Sequence, residues 1–284
     1  MRRALSATLA GIKVGDDHPV RIVGVINASP ESFYPGSVRR GRRALQQRAR
    51  QLVGEGADFI DIGAMSTAPY VHGAISAAEE ERRLVAAISA VRDVVGVPLS
   101  ADTQRGTVAA AALAAGATII NDVSGLRADP QMAAVARQAH GVVLMACEHA
   151  PSTAAPLVVI SALLRQCLAR ARRGRIPAGR IVLDPGIGFF RHAALPWYAL
   201  DCVVLNQLSC LRRLGRPLLV GISRKSFIGK LTGRSAVADR LHGSVAATAI
   251  AVYNGAALVR THDVAATVDA VRVAEALRRR RPSA

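Results

Sequence analysis

Polar and charged residues recur where short apolar runs end. They are Asn27, Asp61, Asp102, Asn121-Asp122, Asp184, the string Ser223-Arg224-Lys225-Ser226, and Arg260-Thr261-His262-Asp263, with Met145 ending the one run that closes on an apolar residue. Any one Asp or Asn in such a place is explained as the N-cap of a following helix; the full set is not. Asp102, Asn121 and Asp184 supply two acceptor carboxylates and an amide, which suit a planar ligand rich in N–H donors, such as an aminopyrimidine. Lys225, Arg260 and His262 suit an anion. The combination fits a flat heterocycle carrying an anionic group. Asn27, with Ser66 and Thr67 beyond the second run, is placed to hold the far side of that anion or a metal bridging it.

The elements that position these groups follow from the pattern of apolar residues. Eight β-branched runs alternate with Ala/Leu/Arg-rich segments: Arg21 to Ile26, Asp58 to Ile62, Pro98 to Asp102, Thr118 to Asn121, Gly141 to Met145, Arg180 to Leu183, Leu218 to Ile222 and Ala257 to Val259. The intervening segments have helical period, as in Leu84, Ala87, Ile88 and Val91. Eight β-then-α units with unbroken apolar strands predict an α/β fold, a closed (β/α)8 TIM barrel with helices outside and its site at the strand C-termini. An open doubly wound sheet is the alternative, but no G-x-G-x-x-G follows the first strand. The predicted organisation is an N-terminal extension over 1–20, read as a hairpin covering the bottom of the barrel, a barrel over 21–279 and a basic tail over 280–284.

Composition narrows the function classes. The chain has 284 residues, 51% of them hydrophobic, enough for one large core, and its formal net charge is +17. Such a charge raises nucleic-acid binding as a possibility. However, 34 of the 37 basic residues are arginine, mostly single or paired along amphipathic segments, so nucleic acid is not the expected partner and the tail reads as a solvated charge run. No apolar run reaches the roughly 18 residues of a membrane span, and no signal peptide is visible; the expectation is a cytoplasmic protein. Cys147, Cys167, Cys202 and Cys210 show no C-x-x-C spacing, which argues against a disulfide framework and a zinc site.

Several longer strings carry a resemblance. "GVINASPESF", "GADFIDIGAMSTAP", "PLSADTQRGTVAAAALAAGATIINDVSGL", "RIVLDPGIGF", "LLVGISRKSFIG", "RLHGSVAAT" and "ALVRTHDVAATVDAVRV" stand in the order found in the dihydropteroate synthase family, the pterin-binding barrels of folate synthesis. The resemblance implies a transferase in which an arylamine displaces diphosphate from the hydroxymethyl carbon of a dihydropterin diphosphate, with Mg2+ on the leaving group. It places the pterin against Asp102, Asn121, Met145, Asp184 and Lys225. It places the diphosphate and its metal on Asn27, Thr67, Arg260 and His262, with Asn27 as the metal ligand, so that Lys225, Arg260, His262 and Asn27 form the catalytic set. Phe33, Pro69 and Ser223 match positions that hold the arylamine. Pairing through outer helices, as in this family, implies a homodimer.

Three departures lie at the chemistry. The first loop reads Glu31-Ser32-Phe33-Tyr34-Pro35-Gly36-Ser37 where the family runs D-S-F-S-D-G-G, so Pro35 replaces an acid. Ala64 to Pro69 lacks the acid and the arginine of G-E-S-T-R-P, and Ala146 follows Met145 where His is common. These changes leave open which arylamine is used. The candidates are p-aminobenzoate, or a ribofuranosyl-aminobenzene phosphate of tetrahydromethanopterin synthesis. They also leave open a non-catalytic pterin-binding protein and a pterin-dependent methyltransferase.

Overall fold

A computed structural model describes residues 4–29, 41–65, 75–147, 152–191 and 194–279. Two short strands, β1 (Ser6–Leu9) and β2 (Ile12–Gly15), pair antiparallel as a hairpin whose turn holds Ala10 and Gly11 at positive φ. The barrel strands are β3 (Arg21–Asn27), β4 (Phe59–Gly63), β5 (Leu99–Asp102), β6 (Ile119–Asp122), β7 (Gly141–Met145), β8 (Ile181–Asp184), β9 (Leu219–Gly221) and β10 (Leu258–Thr261). The helices are α1 (Arg42–Gly54), α2 (Ala77–Arg92), α3 (Gly106–Ala115), α4 (Met132–Ala136), α5 (Pro156–Arg173), α6 (Trp197–Asn206), α7 (Ser226–Thr232), α8 (Leu241–Tyr253) and α9 (Val264–Arg279).

All eight barrel strands pair in parallel, in the order β8-β7-β6-β5-β4-β3-β10-β9. A parallel bridge from Leu183 to Leu218, with the Leu183 N–H donating to the Pro217 carbonyl at 3.0 Å, joins the two ends and closes the barrel. This is the TIM barrel that the alternation predicts, and closure removes the exposed strand edges of an open sheet. Local chemistry sets the helix ends. Ser76 caps α2 by accepting the Glu79 N–H at 3.2 Å, Pro156 starts α5, and Arg170, Arg172 and Arg173 lie in its last turn, against the negative end of the helix dipole.

Side chains alternate along each strand, so every second residue faces the barrel axis. Val23, Phe59, Ile119, Val143, Val182, Leu219 and Leu258 form an inner apolar cluster with Leu9 of the hairpin, whereas Ile22, Ile60, Ile62 and Ile120 join the larger core between strands and helices. The hairpin is therefore the barrel's lower plug, with the Ala10 N–H anchored on the His140 carbonyl at 3.0 Å. Leu9 is 1% exposed. Leu9→Ala is expected to destabilise the chain by about 2–5 kcal/mol through lost burial and a cavity, seen as a lower urea midpoint; an unchanged midpoint would mean that the hairpin plugs nothing.

Candidate active site

One step along each strand above the apolar floor, the same alternation brings chemistry to the axis. Two residues beyond Phe59 is Asp61, beyond Ile119 is Asn121, beyond Val143 is Met145, beyond Val182 is Asp184, and beyond Leu258 are Arg260 and then His262. Asp102 comes from β5, Asn27 from the end of β3, and Ser223 from just past β9. Between floor and site lies a cavity of about 10 Å³ bounded by Leu9, Phe59, Asp61, Ser100, Asn121 and Arg260, space for one water at most. The floor is thus packed, and a ligand must approach from above.

Arg260 organises the centre. Its Nε donates to Asp61 Oδ2 at 2.6 Å and its Nη2 to Asp102 Oδ2 at 2.9 Å, while Asn121 Nδ2 donates to the same Asp61 oxygen at 3.2 Å. Asp61 is 1% exposed, and the second oxygens of Asp61 and Asp102 are buried with no hydrogen-bond partner among the described residues. Burial, and then the charge of Asp61, push the Asp102 carboxyl up to about 7 against the pull of Arg260. A Cβ on Gly63 would stand 3.7 Å from Asp102 Oδ2 and 3.9 Å from Asn27 Oδ1, so the amide and the carboxylate flank one glycine.

A second group surrounds Lys225. Its ammonium donates to the Ile187 carbonyl and lies 5.0 Å from the Phe189 ring centroid, within cation–π range. Asp184 Oδ1 accepts the Gly186 N–H at 2.7 Å. Burial raises the Asp184 carboxyl, opposed first by the charge of Lys225, and burial lowers the Lys225 ammonium, opposed first by Asp184.

Ser223 and His262 form the third group. The Ser223 oxygen stands 3.0 Å from His262 Nδ1 and accepts the His262 backbone N–H at 3.2 Å. Between Ser223 and Lys225, Arg224 is held at φ 56, a left-handed conformation that a side chain rarely adopts. Its guanidinium grips both oxygens of Asp263 at 2.8 Å, and its N–H donates to Ser244 Oγ at 2.8 Å. That clamp turns the chain so that Ser223 meets His262 while Lys225 meets the loop after β8.

The structure departs from the sequence reading in two respects. The sequence sets Asp102, Asn121 and Asp184 apart from a cationic group of Lys225, Arg260 and His262, yet Arg260 sits between Asp61 and Asp102. His262 was expected to add positive charge, but burial, followed by the charges of Arg260 and Arg224, lowers its pKa to about 3 and keeps the free ring neutral. Asp61, which closes the second run without an assigned role, is the shared partner of Arg260 and Asn121. The signal was available: a carboxylate inside the run Phe59–Gly63 faces the same way as Phe59, into the barrel. Phe189 carries no such signal, because an aromatic beside a glycine reads equally well as packing. Met145 is 3% exposed at the wall of the site. Phe33, Thr67, Pro69, Pro35 and Ala68 lie outside the described residues.

A plugged barrel whose upper layer sets buried acceptors against buried cations is a ligand-binding enzyme scaffold, and residues 23–262 match the family described as pterin binding enzyme, to which the chain belongs. Within it the similar proteins are dihydropteroate synthases, which are transferases. The chain is 39% identical over 278 residues to the dihydropteroate synthase of Neisseria meningitidis serogroup B, covering 93% of this chain and 95% of that one. It is 38% identical over 264 residues to that of Synechocystis, covering 90% and 89%. Among solved structures, the Xanthomonas albilineans dihydropteroate synthase with 4-aminobenzoic acid superposes with a TM-score of 0.86 at 37% identity, covering 99% of this chain and all (100%) of that one. The same organism's enzyme in complex with 7,8-dihydropteroate gives 0.82 at 35% identity, covering 98% and 100%.

Proposed function

We propose that this protein works as a dihydropteroate synthase, condensing 6-hydroxymethyl-7,8-dihydropterin diphosphate with p-aminobenzoate and releasing diphosphate. The observation that carries this reading is the single layer in which Asp102, Asn121 and Asp184 stand beside Lys225 and Arg260. The carboxylates accept from the amino and ring N–H groups of the pterin, Asn121 pairs with its edge, and Met145 and Lys225 line the wall. In the reaction the arylamine nitrogen bonds to the hydroxymethyl carbon as the carbon–oxygen bond to diphosphate breaks, and the amine proton leaves to solvent. Electron release from the pterin ring helps that carbon ionise. Arg260 and His262, with Thr67, meet the negative charge that grows on the leaving group, the task of any preorganised anion site. Diphosphate brings charge that opposes the cations around His262, so its arrival draws a proton toward the ring.

The donor set suits Mg2+. Among the described residues no group of three His, Cys, Asp or Glu could form a protein cage, while Asn27 offers an amide oxygen beside Gly63. Mg2+ takes one or two protein oxygens and completes its shell with phosphates and water, so Asn27 with the substrate diphosphate would hold it. Bound there, the ion would neutralise charge on the departing diphosphate.

Phe33, Pro69 and Ser223 belong to the arylamine side of this proposal. The choice of p-aminobenzoate is supported by the 4-aminobenzoic acid in the Xanthomonas structure, and no observation favours the larger amine, a non-catalytic binder or a methyltransferase. Diphosphate release should require Mg2+, the dihydropterin diphosphate and p-aminobenzoate together. Release with the ribofuranosyl-aminobenzene phosphate alone, or with neither amine, would overturn the reading.

The same proposal includes a homodimer and a cytoplasmic setting. Ile250 and Tyr253 on α8 and Val273 and Leu277 on α9 are exposed apolar residues at helical spacing on adjacent helices, a face a second copy could cover. No helix among the described residues is long and apolar enough to cross a membrane. Several arginines are engaged internally, as in Arg21–Asp58, Arg105–Glu80 and Arg212–Asp16, which supports leaving nucleic acid out.

A further inference from the structure

Asp201 has no part in the chemistry above, yet it is a carboxylate 2% exposed on α6, among Leu200, Val204 and Leu205. Burying such a group is costly unless its partners compensate, and an apolar residue would serve the helix's packing better. Its partners lie at the site. Asp201 Oδ1 accepts the Gly188 N–H at 2.7 Å. Gly188 has φ 83, and a Cβ there would stand 3.1 Å from Lys225 Cδ, so this glycine lets the lysine stem lie flat against the loop. On either side of Gly188, the Ile187 carbonyl receives the Lys225 ammonium and Phe189 presents its ring to it. Among the described residues, the charges of Asp184 and then Asp201 favour the Lys225 ammonium. With Asp184 gripping Gly186, the loop after β8 is pinned by one carboxylate at each of two glycines, one from the strand and one from the helix.

We propose that Asp201 is a positioning residue that holds Gly188, and through it Phe189 and Lys225, in the geometry that receives the pterin. It touches neither substrate. Burial pushes its carboxyl up to about 6, opposed by the Gly188 N–H and the Lys225 charge, so at neutral pH it acts mainly as an anion.

This inference rests on the synthase reading, and the experiment separates the two. Steady-state kinetics with both substrates varied, and calorimetric binding of the pterin substrate without arylamine, are run on wild type, Asp201→Asn and Asp201→Ala. Asp201→Ala should weaken pterin affinity about tenfold and lower kcat, while KM for p-aminobenzoate stays within about threefold, the loss of one charge-assisted hydrogen bond felt mainly on one substrate. Asp201→Asn keeps an acceptor oxygen for Gly188 and should recover most of the pterin affinity. Asp201→Ser replaces the alanine variant if that does not fold. Kinetic constants of Asp201→Ala equal to wild type would overturn the inference, as would equal losses for both substrates that asparagine does not rescue. Failure of the wild type itself to release diphosphate would overturn the synthase reading instead.

Discussion

Arg260→Met is expected to cut turnover at least about a thousandfold and to destabilise the chain by about 3 kcal/mol, the lower end of the range for breaking a buried ion pair. The lower end applies because the Arg260 side chain keeps 23% exposure while that of Asp61 keeps 1%. Without the guanidinium, Asp61 and Asp102 face each other as buried like charges, and Asn121 alone cannot compensate both. Catalysis is expected to lose more than stability, since in the proposed site the same group orders the acceptor for the pterin and meets the charge of the leaving group. Arg260→Lys should recover little: an ammonium is a point charge, whereas here two nitrogens of one planar fork reach two different carboxylates. Urea titration and diphosphate release measure the two effects separately. A variant with unchanged stability would show that the Asp61–Arg260–Asp102 chain does not form.

Much of this arrangement was legible in the sequence because strand alternation is strict. Once the eight runs are phased by their apolar members, Asp102, Asn121, Asp184 and Arg260 must share the interior with Phe59 and Leu258, and closure of the barrel then brings residues far apart in the chain within hydrogen-bond distance. The hairpin cover was legible only in part: the stretch from Gly11 to Ile22 suggests a hairpin ahead of the first barrel strand, whereas the strands that pair are β1 and β2, turning at Ala10 and Gly11. The pairings between strands were not legible. Periodicity places Asp61 and Arg260 in one layer, but it does not say that the arginine turns toward carboxylates rather than toward an open anion site. The state of His262 depends on how many cations crowd a buried ring, a sum over several elements. Asp201 was hidden most completely: on a helix outside the barrel, a single Asp among apolar residues carries no pattern, and only the approach of α6 to the loop after β8 gives it a partner.

Affinity for the pterin should rise with pH up to about 7 and then level, through Asp102. In the folded, ligand-free chain burial pushes its carboxyl up to about 7, well above the usual carboxylate range. A raised carboxyl means that the folded state holds this proton more tightly than the unfolded chain does. Its contribution to stability is therefore full below the unfolded value, and it is lost as pH rises toward about 7. A pterin reverses the balance, because its N–H donors bind the ionised carboxylate and offer nothing to a protonated one. Binding therefore releases a proton below about pH 7, and one pH unit further down should weaken affinity about tenfold. Asp102→Asn should lose at least about a hundredfold in pterin affinity, because its amide N–H groups face ligand donors, and it should lose the pH slope as well. Asp201→Asn should keep that slope, which distinguishes Asp102 from the raised carboxyl of Asp201. Titration calorimetry without Mg2+, in buffers of differing ionisation enthalpy, reads affinity and proton release together. A pterin affinity flat from pH 5.5 to 8 in the wild type would mean that Arg260 keeps Asp102 ionised throughout, and that the acceptor stands ready before the ligand arrives.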